Sequence, residues 1–211
     1  MDLENERGVF NLVLFRKILD KLIYQDNFSQ IEANMSESNI GARKERNVRD
    51  HLFVVHGIVN DIVHKKEKSA DMLIYDIRKC FDHMWFCEAM NCLYDTKLNN
   101  DQYYILCETN KLSKIAVKTP VGITKRFDVP EVVLQGGNWG PLQCSVKIDK
   151  IGKECFQTGE NLYQYKDCID VSPLAMIDDV AAPAKCGTDS VLVHNFIKNQ
   201  NKVQQTPVWS N

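Results

Sequence analysis

Apolar residues recur at helical spacing near the start of the chain, at Val9, Leu12, Val13, Phe15, Ile18, Leu19, Leu22 and Ile23. Arg16, Lys17, Asp20 and Lys21 lie on the opposite side. That period predicts an amphipathic helix over 9–24. A polar loop from Asn34 to Asn39 closes at Gly41, and a second helix follows, with Leu52, Val55, Val59, Ile62 and Val63 as its predicted buried stripe. Met72-Leu73-Ile74-Tyr75 runs into Asp76 and predicts a strand over 72–77. Asp82 stands at an expected helix N-cap ahead of a helix over 83–94, and another helix is predicted from Asn100 to Leu112. Residues 114–119 and 123–129 alternate apolar and polar side chains about Pro120-Val121-Gly122, which predicts a hairpin with one buried and one wet face. Pro141 suits the first turn of a helix over 141–158. Leu174 to Ile177 and Val180 to Ala182 read as the strands of a second hairpin, with Asp178-Asp179 at its tip. Beyond Gly187 the pattern weakens, through Val191, Val193, Phe196 and Ile197, and residues 198–211 show none. Amphipathic helices mixed with antiparallel hairpins place the chain in the α+β class, with helices 83–94 and 141–158 expected on one face of a central sheet.

Composition narrows the function. The 211 residues, 44% hydrophobic and 26% charged, suffice for one substantial core or two small lobes. No apolar run approaches the roughly 20 residues that span a membrane, and the acidic start, Met1-Asp2-Leu3-Glu4, has no signal-peptide core. The expectation is an intracellular protein, compatible with the nucleus, neither secreted nor membrane-bound. The eight cysteines, at 80, 87, 92, 107, 144, 155, 168 and 186, form no Cys-x-x-Cys pair and read as reduced thiols rather than disulfides or zinc ligands. A net charge of −2 argues against nucleic acid on the sum alone. The distribution argues the other way, because basic residues gather at Arg43-Lys44-Glu45-Arg46 with Arg49, at Lys65-Lys66 with Lys68, and from Lys111 to Lys118.

The candidate chemistry is acidic. Asp178 and Asp179 interrupt an otherwise apolar stretch, and alone they read equally well as an ordinary turn. A second carboxylate at a strand end, Asp76, changes the balance. A strand that delivers one carboxylate beside an acidic hairpin suits hard divalent cations, which take oxygen ligands and in pairs clamp both oxygens of an in-line phosphoryl displacement.

Three segments in order resemble the reverse transcriptases of non-LTR (LINE-like) retrotransposons: Tyr75-Asp76-Ile77-Arg78-Lys79-Cys80-Phe81-Asp82 as motif A, Gln135-Gly136 with Gly140-Pro141-Leu142 as motif B, and Met176-Ile177-Asp178-Asp179 as motif C. The 102 positions from Asp76 to Asp178 fit that order, and the resemblance covers roughly 5 to 195. It implies the right-hand architecture of a polymerase: a fingers part over 1–70, a palm with an antiparallel sheet over 71–190, including a fingers-like hairpin near 113–129, and a poorly structured tail over 191–211. It also implies an RNA-directed DNA polymerase that adds dNTPs to a DNA primer on an RNA template, using two Mg²⁺ or Mn²⁺ ions. Asp76, Asp178 and Asp179 are then catalytic and hold the metals, with the Ile77 carbonyl a further ligand. Phe81 falls at the steric-gate position, although a core Phe at a strand-to-helix turn is the plainer alternative. Gln135 and Gly136 fall on the nucleotide, or form a simple turn; Arg7 points at the triphosphate, or is an exposed terminal residue. Arg43, Lys44 and Arg46 face nucleic-acid phosphates, or begin a solvated helix.

The chain departs from the family pattern in two ways. Met176 stands where the wider family carries Tyr or Phe, and beyond Ile197 no motif of the family is matched. The resulting expectation is a thumbless fragment with little activity alone. Two other readings stay open: a catalytically inactive retroelement remnant that binds nucleic acid, and another two-metal palm protein such as a nucleotide cyclase or a template-independent transferase.

Overall fold

A computed structural model of the chain describes residues 11–64, 69–77, 80–128, 131–134, 136–157, 162–166, 169–177, 179–185, 191, 192 and 195. Two long helices open it, α1 (Leu14–Ala33) and α2 (Val48–His64), followed by strand β1 (Ala70–Asp76). A short α3 (Cys80–His83) leads to α4 (Phe86–Asp95) and α5 (Asn100–Lys111). Four two-residue strands follow, β2 (Lys114–Ile115), β3 (Lys118–Thr119), β4 (Gly122–Ile123) and β5 (Phe127–Asp128), then α6 (Trp139–Gln157). The described residues end in β6 (Gln164–Tyr165), β7 (Ile169–Asp170), β8 (Leu174–Met176) and β9 (Asp179–Lys185), with residues 191, 192 and 195 beyond them.

The central sheet is antiparallel, with strand order β1-β9-β8. β1 and β9 pair along their full length, from Ala70 opposite Lys185 to Asp76 opposite Asp179. The face bearing Leu73 and Tyr75 packs with Ala182 and Ala184 against Cys155, while Ala175 and Val180 meet Ile148 and Ile151 of α6. The strand and hairpin expected at 72–77 and 174–182 are therefore adjacent, and each is longer than its sequence pattern.

The helical layer departs from expectation. α6 lies on the sheet, but α4 packs on α6, where Met90 and Leu93 join Leu142 and Val146 in the main core. Lys147–Glu88 at 3.4 Å and Lys150–Asp95 at 3.0 Å tie the same two helices. α1 adds Ile23, Phe28 and Ile31 to this core, and it extends nine residues past the predicted end because the apolar spacing continues through those positions. On α2 the expected stripe is largely wrong: Leu52 is 60% exposed, Val59 and Val63 are exposed, and Ile58 and Asp61 are buried. Asp61 is satisfied there by the Tyr163 hydroxyl at 2.8 Å and the Lys166 amide at 3.2 Å. Asp82 lies inside α3 rather than capping α4, whose N-cap is Trp85. The 114–128 hairpin forms, with β2 on β5 and β3 on β4, but neither face is buried and residues 120–128 are all exposed. Its alternation satisfies a projecting arm, not a packed sheet.

Candidate active site

Asp76 ends β1 and Asp179 begins β9, directly opposite each other. Side chains of paired residues share one face, with Cβ atoms about 4.5–5.5 Å apart. The same register adds Met176, paired with Asp179, and Ile74, paired with Ala181, to that face. Both carboxylates are exposed, and so is Ile74, at 78%. This is the face of the sheet opposite α6. Like charges set directly opposite destabilise a sheet; a cation between them reverses the sign. Two hard carboxylate donors at one strand end thus suit Mg²⁺ or Mn²⁺. Among the described residues no group of three His, Cys, Asp or Glu side chains gathers to hold a metal. Asp178 lies outside the described residues, as do Gln135 and Arg7.

Only Ile177 and Asp178 separate β8 from β9. Ile177 has φ 56°, the left-handed region that a two-residue hairpin demands and a β-branched residue disfavours. The outer edge of β8 is covered. The Ala175 amide donates to the Ser38 carbonyl at 3.0 Å, and the Ile40 amide donates to the Ala175 carbonyl at 2.9 Å. The loop between α1 and α2 is therefore a parallel extension of the sheet beside the acidic turn.

That loop carries the predicted basic cluster, and its three cations differ. The Arg43 side chain is only 5% exposed. It donates to the Ser36 carbonyl at 2.7 Å and the Asn39 carbonyl at 3.0 Å, and pairs with Glu32 at 3.4 Å, so it holds the loop rather than facing solvent. Lys44 is exposed, its ammonium 5.3 Å from the centre of the Phe28 ring. Arg46 pairs with Glu37.

Motif A meets motif B at Phe81. Its ring is half-buried against a cluster of Cys80, Met84, Val133 and Cys144, and a Cβ on Gly140 would lie 3.4 Å from it. Ile77 packs in the same region. Gly136 has φ 122°, which glycine alone accepts readily. Beneath the sheet, burial pushes the Cys155 thiol up to about 11 and leaves it protonated and inert. Burial also raises Tyr75. The buried tie of Asn39 to Ser145 had no sequence signal, because neither residue belongs to a hydrophobic period or a motif.

Among the described residues no helix is long and apolar enough to cross a membrane. No curated protein matches the sequence significantly. The family model described as "Reverse transcriptase (RNA-dependent DNA polymerase)" matches residues 5–205. Similar solved structures include apo telomerase from Candida tropicalis, at TM-score 0.64 and 14% identity, covering 92% of this chain and 36% of that one. The same enzyme truncated from its C-terminal domain gives TM-score 0.60 and 14% identity, covering 90% and 39%. Telomerase from Candida albicans in complex with a TWJ fragment of telomeric RNA gives 0.53 and 14%, covering 89% and 31%. The chain thus spans between 31% and 39% of the length of these three chains.

Proposed function

The chain belongs to the reverse transcriptase family, and from that premise we propose that its acidic sheet end is a nucleotidyl-transfer centre. It joins a deoxynucleotide to a DNA primer 3′-hydroxyl on an RNA template. The observation that carries this reading is the register that sets Asp76 opposite Asp179 on the open face of the sheet. Asp76, Asp178 and Asp179, with the carbonyl of Ile77, would hold two Mg²⁺ or Mn²⁺ ions, which would supply charge neutralisation at the phosphate and activation of the attacking hydroxyl.

The other roles belong to the protein. Ile74 and Met176 give the open face an apolar floor. The Phe81 ring stands against the sugar and rejects a 2′-hydroxyl. Gln135 donates to the nucleotide, the bare backbone at Gly136 allows close approach, and Arg7 forks onto the triphosphate. Lys44 and Arg46 meet nucleic-acid phosphates, and Arg43 keeps their loop in place. The exposed arm adds to that basic surface: residues 111–128 hold five cations and one carboxylate in a chain whose net charge is −2.

Within the family, the three motifs favour a LINE-like element. A telomerase-type enzyme is the second reading, favoured by the likeness in fold to the two Candida telomerases. The test is single-nucleotide extension of a DNA primer on an RNA template with Mg²⁺ or Mn²⁺. Incorporation dependent on metal and template, and absent in Asp178→Ala, supports the polymerase. Metal-dependent nucleotide chemistry without a template points to another palm enzyme, and template binding with no incorporation points to an inactive remnant. Incorporation on any RNA sequence favours the LINE-like reading; a requirement for one stably bound RNA favours the telomerase-type reading.

A further inference from the structure

Residues 36–41 are clamped between the acidic hairpin and α6. Asn39 is 1% exposed. Its amide nitrogen donates to the Ser145 carbonyl at 2.8 Å, and its Oδ1 accepts from the Gly41 amide at 2.9 Å. The buried Ser145 hydroxyl lies 2.7 Å from the Gly41 carbonyl and 3.0 Å from Asn39 Oδ1, with one proton to share between them. One turn along α6, Asp149 accepts from the Ser36 amide at 2.9 Å and from its hydroxyl. Two levels of one helix face thus hold the loop. Gly41 presses directly on the acidic turn: a Cβ there would stand 2.5 Å from the Ile177 nitrogen and 2.7 Å from Ser145 Oγ. Ile177 is the residue held at φ 56°, a conformation that a β-branched side chain leaves unless its surroundings prevent it.

We propose that Asn39 and Ser145 are positioning residues for the acidic turn. By fixing residues 38–41 against β8, they hold Ile177 in its left-handed conformation and set where Asp179 stands relative to Asp76. The role in metal binding rests on the nucleotidyl-transfer reading of that turn; the mechanical role does not. Neither residue touches the open face, so their effect passes through Gly41 and Ile177.

The test uses the full chain with Ser145→Ala, the milder Ser145→Cys, and Thr96→Val as a control. Thr96 is a buried hydroxyl bonded to the Leu93 carbonyl at 2.6 Å, at the far end of α4. Amide exchange is followed in residues 174–182 and in α5, and Mn²⁺ affinity is titrated. Losing a buried hydrogen bond at the turn predicts about fivefold faster exchange at 174–182 and about fivefold weaker Mn²⁺ binding in Ser145→Ala. Ser145→Cys falls between that variant and the wild type, and α5 is unchanged in both. Thr96→Val leaves the hairpin and Mn²⁺ affinity at wild-type values. Hairpin exchange equal to wild type in Ser145→Ala, or accelerated only in step with α5, overturns the proposal. A wild-type chain with no saturable Mn²⁺ binding refutes the nucleotidyl-transfer reading alone, and the exchange data still decide the positioning role.

Discussion

Gly140→Ala probes the junction between motifs A and B. Gly140 is buried at the second position of α6, and a Cβ there would sit 2.7 Å from the Leu134 carbonyl oxygen and 3.4 Å from Phe81 Cε1. A carbon and a carbonyl oxygen settle at about 3.3 Å or more, so roughly 0.6 Å must be found. The Phe81 ring can give a little. The Leu134 carbonyl has less freedom, because the preceding Val133 is buried, its amide donates to the Met84 carbonyl at 2.9 Å, and Val132 bridges to Trp85. Overpacking of this kind costs about 1–3 kcal/mol, and the better helix propensity of Ala returns at most about 1 kcal/mol. A net loss of about 1–2 kcal/mol, at a urea slope of about 1–3 kcal/mol/M, lowers the unfolding midpoint by about 0.3–2 M. Urea denaturation followed by circular dichroism measures this. A midpoint equal to or above wild type refutes the close approach of Leu134 to α6.

Three further outcomes follow from the geometry. Phe81→Val shifts incorporation toward ribonucleotides by about tenfold if the ring blocks a 2′-hydroxyl; unchanged discrimination in a folded variant returns Phe81 to the core. Replacing Lys118, Lys125 and Arg126 of the exposed arm together with Gln lowers the salt slope of RNA–DNA hybrid binding by about 2–3 and leaves the melting temperature unchanged. An unaltered slope removes the arm from the interface. Burial raises the pKa of Asp20, against the opposing pull of Arg16. The native state therefore holds that proton more tightly than the unfolded chain does, so ionised Asp20 costs stability above the ordinary carboxylate pKa and nothing below it. Asp20→Asn, which keeps an acceptor for Arg16, raises the melting temperature relative to wild type more at pH 7 than at pH 3; an equal difference at both contradicts this.

The parts of the fold that were legible in sequence are those where one side chain's environment follows from its neighbours. Asp76, at the end of an apolar run, and the acidic pair between two short apolar runs located β1, β8 and β9 without reference to anything distant. The stripe on α2 failed because the partner surface is set by tertiary contact: Asp61 faces inward to meet Tyr163, more than 100 positions away. The arm misled for the opposite reason, since alternation marks a strand but does not say what covers it. Arg43 reads as one cation among three, yet its burial depends on the Ser36 and Asn39 carbonyls curling around it. The support beneath the acidic turn was invisible because Asn39 and Ser145, 106 positions apart, carry no pattern.

The central claim is that carboxylates from two distant segments make one cation site. Mn²⁺ binding, read from the electron paramagnetic resonance signal of the free ion, tests it in the wild type and in Asp76→Ala and Asp178→Ala. The account predicts saturable binding in the wild type and its loss in each variant, although Asp76 and Asp178 lie 102 positions apart in the sequence. Binding that persists in both variants, or is absent from the wild type, contradicts it.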